Sequence, residues 1–195
     1  MQNINEWLLK WLNGFAEYEI MGPLVFLFAD LPIFFLPIFL LGMWIFYTYK
    51  QKNIDKKQDL LFIFYATILG IIISLIIQQF VAIDRPEAYL ETTGKLLLSH
   101  VPDASFPSDH ATVSVAFLSA LFLAYYKRVG LCFLPFVIIM NLCRVIAGVH
   151  WPFDIVAGTI VGIFSAIVMF KYISKIKLVK TFNMWIIKLM WYLKL

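Results

Sequence analysis

Segment 22–49, GPLVFLFADLPIFFLPIFLLGMWIFYTY, carries one side chain that is charged at neutral pH, Asp30. As a helix it exceeds the roughly 30 Å hydrocarbon core of a bilayer. Four more apolar runs follow, at 60–83, 107–126, 131–147 and 152–172. A soluble core cannot absorb them. The chain has 195 residues, 62% hydrophobic and 14% charged. Soluble domains carry about 25% charged residues, and one of this size still exposes roughly 30% of its unfolded surface. The sequence therefore predicts an all-α fold, a polytopic membrane helix bundle of five transmembrane helices embedded in membrane lipids. It excludes a disordered chain, a nucleic-acid-binding module and a disulfide scaffold. Cys132 and Cys143 both fall in the apolar region 130–147.

One domain is expected over 1–195, with the membrane core at 20–172. Residues 1–19 predict an amphipathic interfacial helix. Trp7, Leu8, Trp11 and Leu12 form its apolar face, and Glu6, Lys10, Asn13 and Glu17 the polar one. The segment lacks the features of a signal peptide, so the N-terminus is expected to stay. Residues 173–195 are apolar but broken by lysines. They predict a basic interfacial helix, with a sixth span as the alternative. Polar loops are expected at 50–59 and 84–106, and a tight turn at 127–130.

Charge sets the orientation. Lys50, Lys52, Lys56 and Lys57 follow the first span, Lys127 and Arg128 the third, and Lys171, Lys175, Lys177 and Lys180 the fifth. With five spans, all three regions share one side, which the positive-inside rule makes cytoplasmic. The N-terminus, loop 84–106 and turn 148–151 then face out of the cytoplasm across the inner (plasma) membrane.

Ionisable groups at membrane depth cost roughly 2.5–3.5 kcal/mol each on insertion scales, which makes them functional candidates. Three clusters lie at outward span ends: Asp84-Arg85-Pro86, Ser105-Phe106-Pro107-Ser108-Asp109-His110, and Arg144 with His150 and Asp154. Pro107 predicts a helix start, whose N–H groups at 108–110 favour an anion. Ser108 adds a hydroxyl donor, and His110 a group that moves protons near neutral pH. Gly148 can end the fourth span and Pro152 begin the fifth, placing His150 on the turn between them. Asp154 can accept from one imidazole nitrogen and leave the other nucleophilic. Arg144 offers a planar fork for phosphate. Taken singly, each cluster also reads as a capped helix end, an Arg–Asp pair or a snorkelling arginine. Together they supply what phosphoryl transfer requires: charge-stabilising donors, a nucleophile and an acid.

The three clusters resemble the type 2 phosphatidic acid phosphatase (PAP2) superfamily. Its pattern is Lys, six residues, Arg-Pro; then Pro-Ser-Gly-His; then Ser-Arg, five residues, His, three residues, Asp. Here these read Gln78 to Arg85-Pro86, Pro107-Ser108-Asp109-His110, and Cys143-Arg144 to His150 to Asp154. The resemblance implies His150 as a nucleophile forming a phosphohistidine, and Asp154 as its orienting group. It makes His110 the acid and then the base. It places Arg85, Arg144 and Ser108 on the phosphate, with Gln78 and Asp109 at the remaining phosphate-binding positions. It implies no metal and no other cofactor.

This sequence departs from the pattern where Gln78 replaces Lys, Asp109 replaces Gly and Cys143 replaces Ser. The Gln78 amide or Lys95 of the loop is the candidate replacement for the lost cation, and Lys95 reads first as a solvated loop charge. Ser-Phe-Pro-Ser-Asp-His resembles the undecaprenyl-diphosphate phosphatase subgroup associated with bacitracin resistance. The expected partner is thus a lipid diphosphate. Phosphatidylglycerophosphate, phosphatidic acid and lipid A phosphate are the alternatives within the class. A transporter or channel would place its charges near mid-membrane and show inverted repeats. A metal site built from His110, His150 and Asp154 is a third option. Asp30 reads as a polar residue satisfied between helices, or as a partner of Arg85 or Arg144 at the site; the sequence slightly favours the former. Glu87, Glu91 and Asp103 read as solvated loop charges.

Overall fold

The computed structural model describes residues 2–98 and 104–193, so Asp103 lies outside the described residues. All regular elements among these are helical. They are α1 (Gln2–Asn13), α2 (Met21–Tyr49), α3 (Ile54–Phe80), α4 (Glu87–Thr93), α5 (Asp109–Leu123), α6 (Lys127–Ile146), α7 (Pro152–Lys171) and α8 (Lys177–Tyr192). Among the described residues, four helical segments are long and apolar enough to cross a membrane: Met21–Tyr49, Ile54–Phe80, Lys127–Ile146 and Pro152–Lys175. Pro32 and Pro37 sit inside one continuous α2.

The fifth expected span is α5, and it is shorter than the run that predicts it. Its 15 residues cover roughly 22 Å. A central helix sheathed by others need not reach both membrane faces, and α5 packs against α3, α6 and α7. Small residues allow the close approach. Gly158 and Gly162 of α7 lie against α5, where an added Cβ would come 2.5 Å from the Ser108 carbonyl and 2.6 Å from that of Thr112. Gly70 of α3 faces Thr112 and Ser165. The small residues Ala111, Ser114 and Ala120 of α5 are buried and Ser119 is half-buried.

Several boundaries differ from the sequence reading. The loop expected at 50–59 is mostly the start of α3, because Asn53 caps it by accepting from Lys56 N–H at 3.0 Å. The turn expected at 127–130 falls at 124–126, so Lys127, Arg128 and Gly130 lie in the first turn of α6. Loop 84–106 contains α4, with Glu91 exposed and Glu87 half-buried. Helix α1, the expected interfacial helix, keeps Trp7 and Trp11 exposed. Asn13, expected on its polar face, is instead buried: its amide donates to the Lys95 and Ile146 carbonyls at 2.6 and 2.9 Å and accepts from Lys95 N–H at 2.9 Å. Asn5 accepts from Phe153 N–H at 3.1 Å. These contacts lay α1 across the ends of α6 and α7 that carry the polar clusters.

At the other end, Tyr65 donates to Asn183 at 3.0 Å and Gln58 meets Met184 at 3.2 Å. Adjacent residues of α8 thus reach points two turns apart on α3, so α8 crosses α3. At 16 residues, or roughly 24 Å, α8 is not among the helical segments long and apolar enough to cross a membrane.

Candidate active site

The three polar clusters converge at one end of the bundle. Helix α6 ends at Ile146, and Gly148 adopts φ +83°, where a Cβ would also strike Leu90 at 2.5 Å. Only glycine makes this turn without strain. The turn returns the chain so that Val149 N–H meets the Arg144 carbonyl at 3.2 Å. His150 lands directly before α7, which opens on Pro152 as expected, and is almost fully buried.

Its two ring nitrogens see different surroundings. Nδ1 lies 3.1 Å from the Ser105 carbonyl and 3.5 Å from Asp154 Oδ2. A carbonyl only accepts, so Nδ1 carries the hydrogen and Nε2 keeps its lone pair. Nε2 faces Arg85 Nη1 and Arg144 Nη2, each at 3.4 Å. Arg85 is fixed by donating to the Val149 carbonyl at 2.7 Å. Asp154 is buried, accepting from Trp151 N–H at 2.8 Å and closely from the Ser105 hydroxyl. Ser105 is thus a member of the site that residue-by-residue reading left without a role. Its place two residues before Pro107 in the Ser-Phe-Pro-Ser-Asp-His run was the available signal.

The start of α5 differs from expectation. Pro107 precedes the helix, and the fully buried Ser108 is its N-cap, accepting from Ala111 N–H at 3.5 Å. Ser108 N–H is not open to an anion, because it donates to the Asp154 carbonyl at 3.1 Å. That bond joins the first turns of α5 and α7.

Asp30 comes from α2 and is also at the site. It pairs closely with Arg144, and the same oxygen lies 3.1 Å from His110 Nε2. It is therefore satisfied between helices and part of the cluster at once. His110 reaches Arg144 through this carboxylate. Among the described residues, no three His, Cys, Asp or Glu side chains are grouped as metal ligands.

Gln78 and Asp109, the two departures nearest the phosphate positions, bind each other. Gln78 Nε2 donates to Asp109 Oδ1 at 3.0 Å and approaches the Pro107 carbonyl at 3.3 Å, while Ser74 donates to Asp109 at 2.6 Å. Lys95, the other candidate cation, has an exposed side chain. Cys143 is buried, and neither cysteine is bridged.

The family model described as the PAP2 superfamily matches residues 59–178. The chain belongs to the PAP2 superfamily. The PAP2 match begins within α3 and runs through α7, so it contains every site residue named here except Asp30. Bacitracin transport permease protein BcrC of Bacillus licheniformis is 32% identical over 79% of this chain and 72% of its own. Undecaprenyl-diphosphatase BcrC of Bacillus subtilis (strain 168) is 24% identical over 87% of this chain and 84% of its own. The crystal structure of Aquifex aeolicus LpxE superposes with a TM-score of 0.70 at 21% identity, over 87% of this chain and 96% of that one. The two chains share a fold.

The Gln78–Asp109 pairing makes a prediction. Gln78→Lys alone places an ammonium on the Asp109 carboxylate and is expected to leave KM for a lipid diphosphate within about twofold. Combined with Asp109→Gly, the same lysine is free for phosphate, and KM is expected to fall about fivefold, or about 1 kcal/mol. Steady-state phosphate release by the two variants checks this.

Proposed function

We propose that this PAP2 lipid phosphatase hydrolyses undecaprenyl diphosphate to undecaprenyl phosphate and inorganic phosphate, at a site facing out of the cytoplasm. The observation that carries the chemistry is the His150 imidazole. Its Nδ1–H is tied down, and its Nε2 lone pair is aimed between two guanidinium groups. An anionic phosphoryl group drawn between Arg85 and Arg144 meets that lone pair directly. The Bacillus subtilis relative named undecaprenyl-diphosphatase, aligned over 87% of this chain, supports the substrate. The basic residues of the 50–59, 127–128 and 171–180 segments support the orientation.

The steps balance as follows. Nε2 attacks the terminal phosphorus, an N–P bond forms and the bridging P–O bond breaks. His110 gives a proton to the departing lipid phosphate oxygen. The phosphohistidine ring is cationic and donates Nδ1–H to the Ser105 carbonyl beside the Asp154 carboxylate. Water then attacks phosphorus, His110 takes its proton, and the N–P bond breaks to release inorganic phosphate and regenerate His150. Arg85, Arg144 and the Ser108 hydroxyl hold the phosphoryl oxygens. Gln78 and Asp109 brace the first turn of α5 through their mutual hydrogen bond and the Gln78 contact with the Pro107 carbonyl.

The test is phosphate release by purified protein in detergent from undecaprenyl diphosphate, phosphatidylglycerophosphate, phosphatidic acid and lipid A 1-phosphate. The diphosphate is expected to give a kcat/KM at least tenfold above the others. A monophosphate lipid in first place would reassign the substrate. Absence of hydrolysis from all four would return the chain to the transport reading.

A further inference from the structure

We propose that Asp30 is a positioning residue for the proton-transfer step, paired with His110 as Asp154 and Ser105 are paired with His150; this rests on the reading of His110 as acid and base. Asp30 lies on α2, outside the residues that the family pattern covers. It is the one charged side chain in segment 22–49. A lone carboxylate in a lipid-facing helix needs a reason to be there. The reason is visible in its contacts. One oxygen accepts from His110 Nε2 at 3.1 Å and also engages the buried Arg144 guanidinium. Asp30 therefore fixes two groups from a helix that contributes nothing else charged to the site.

The consequence for the reaction concerns atoms. With Nε2–H committed to Asp30, the proton that goes to the leaving oxygen is carried on Nδ1 of His110. After the transfer, Nε2–H stays on the carboxylate and the Nδ1 lone pair is available to the attacking water. Asp30 also holds the Arg144 fork so that Nη2 faces His150. A rigid Arg144 and an oriented His110 are the two conditions for in-line displacement, and one carboxylate supplies both. The other charged groups of the cluster are Asp109 on α5 itself, Arg144 on α6, Arg85 before α4, and His150 and Asp154 at α7.

A double-mutant cycle tests this on a lipid diphosphate, with Asp30→Asn, His110→Ala and the combined variant. Asp30→Asn is expected to lower kcat roughly 10- to 100-fold, part of what a positioned acid contributes. In the His110→Ala background the same change is expected to cost at least about fivefold less than in wild type, because only its hold on Arg144 is left to lose. Asp30→Glu, which retains the carboxylate and keeps Arg144 paired, is expected to recover at least a third of the lost rate. Comparing an alkyl phosphate with p-nitrophenyl phosphate adds a readout that a purely structural role would not move. The loss is expected to be at least tenfold greater for the alkyl phosphate, whose poor leaving group needs the proton. Multiplicative losses in the cycle, or equal losses on both phosphates, overturn the proposal. If His110→Ala itself is as fast as wild type, the underlying reading of His110 fails instead.

Discussion

His150→Ala is expected to lower phosphate release by about 10⁴-fold or more, because it removes the nucleophile from a two-step mechanism. The structure gives this expectation a specific form. Nε2 carries no hydrogen of its own, since Nδ1–H is held by the Ser105 carbonyl at 3.1 Å. The two guanidinium groups that face it at 3.4 Å draw a phosphoryl group onto the ring. Alanine leaves the arginines in place, so lipid diphosphate binding is expected to persist while chemistry stops. Brief exposure to a substrate carrying ³²P on its terminal phosphate, followed by denaturation, separates the cases. Wild type is expected to show acid-labile, base-stable label on the protein, and His150→Ala none. A wild-type protein that turns over rapidly but never carries label under single-turnover conditions would point to direct attack by water.

The helical membrane character and most of the site were legible because charge is scarce in this chain. Each polar cluster in an apolar sequence stands out, and Gly148 and Pro152 mark the turn that presents His150. Three kinds of feature were not legible. Boundaries moved where a cap outweighed hydropathy, as at Asn53 and Ser108. Ser105 contributes its backbone carbonyl to His150, and any residue type has one. Asp30 was legible only as an open choice between a residue satisfied between helices and a partner of Arg85 or Arg144; the packing of α2 against α6 selects Arg144, more than a hundred residues away. The mutual bonding of Gln78 and Asp109 belongs with these. Each looked like an isolated departure in sequence, and the approach of α3 to the start of α5 makes them one feature.

Asp154→Asn is the second large expected effect, and the geometry bounds its size. In a Ser-His-Asp triad, the same change costs about 10⁴-fold because the histidine adopts the wrong tautomer. Here the tautomer has an independent anchor, since the Ser105 carbonyl is nearer to Nδ1 than Asp154 is, 3.1 against 3.5 Å. The asparagine oxygen can still accept from Trp151 N–H and preserve the start of α7. What is lost is the negative charge beside an imidazole that becomes cationic when phosphorylated. Removal of one such electrostatic contribution costs about 10²- to 10³-fold, so a drop in kcat of that size is expected. The thermal midpoint is expected to stay within a few degrees of wild type. Ser105→Ala retains the carbonyl and removes only the hydroxyl donated to Asp154, so its loss is expected to be about tenfold. If Asp154→Asn instead matched His150→Ala, the carboxylate rather than the Ser105 carbonyl would be what sets the tautomer, and the 3.1 Å contact would be incidental.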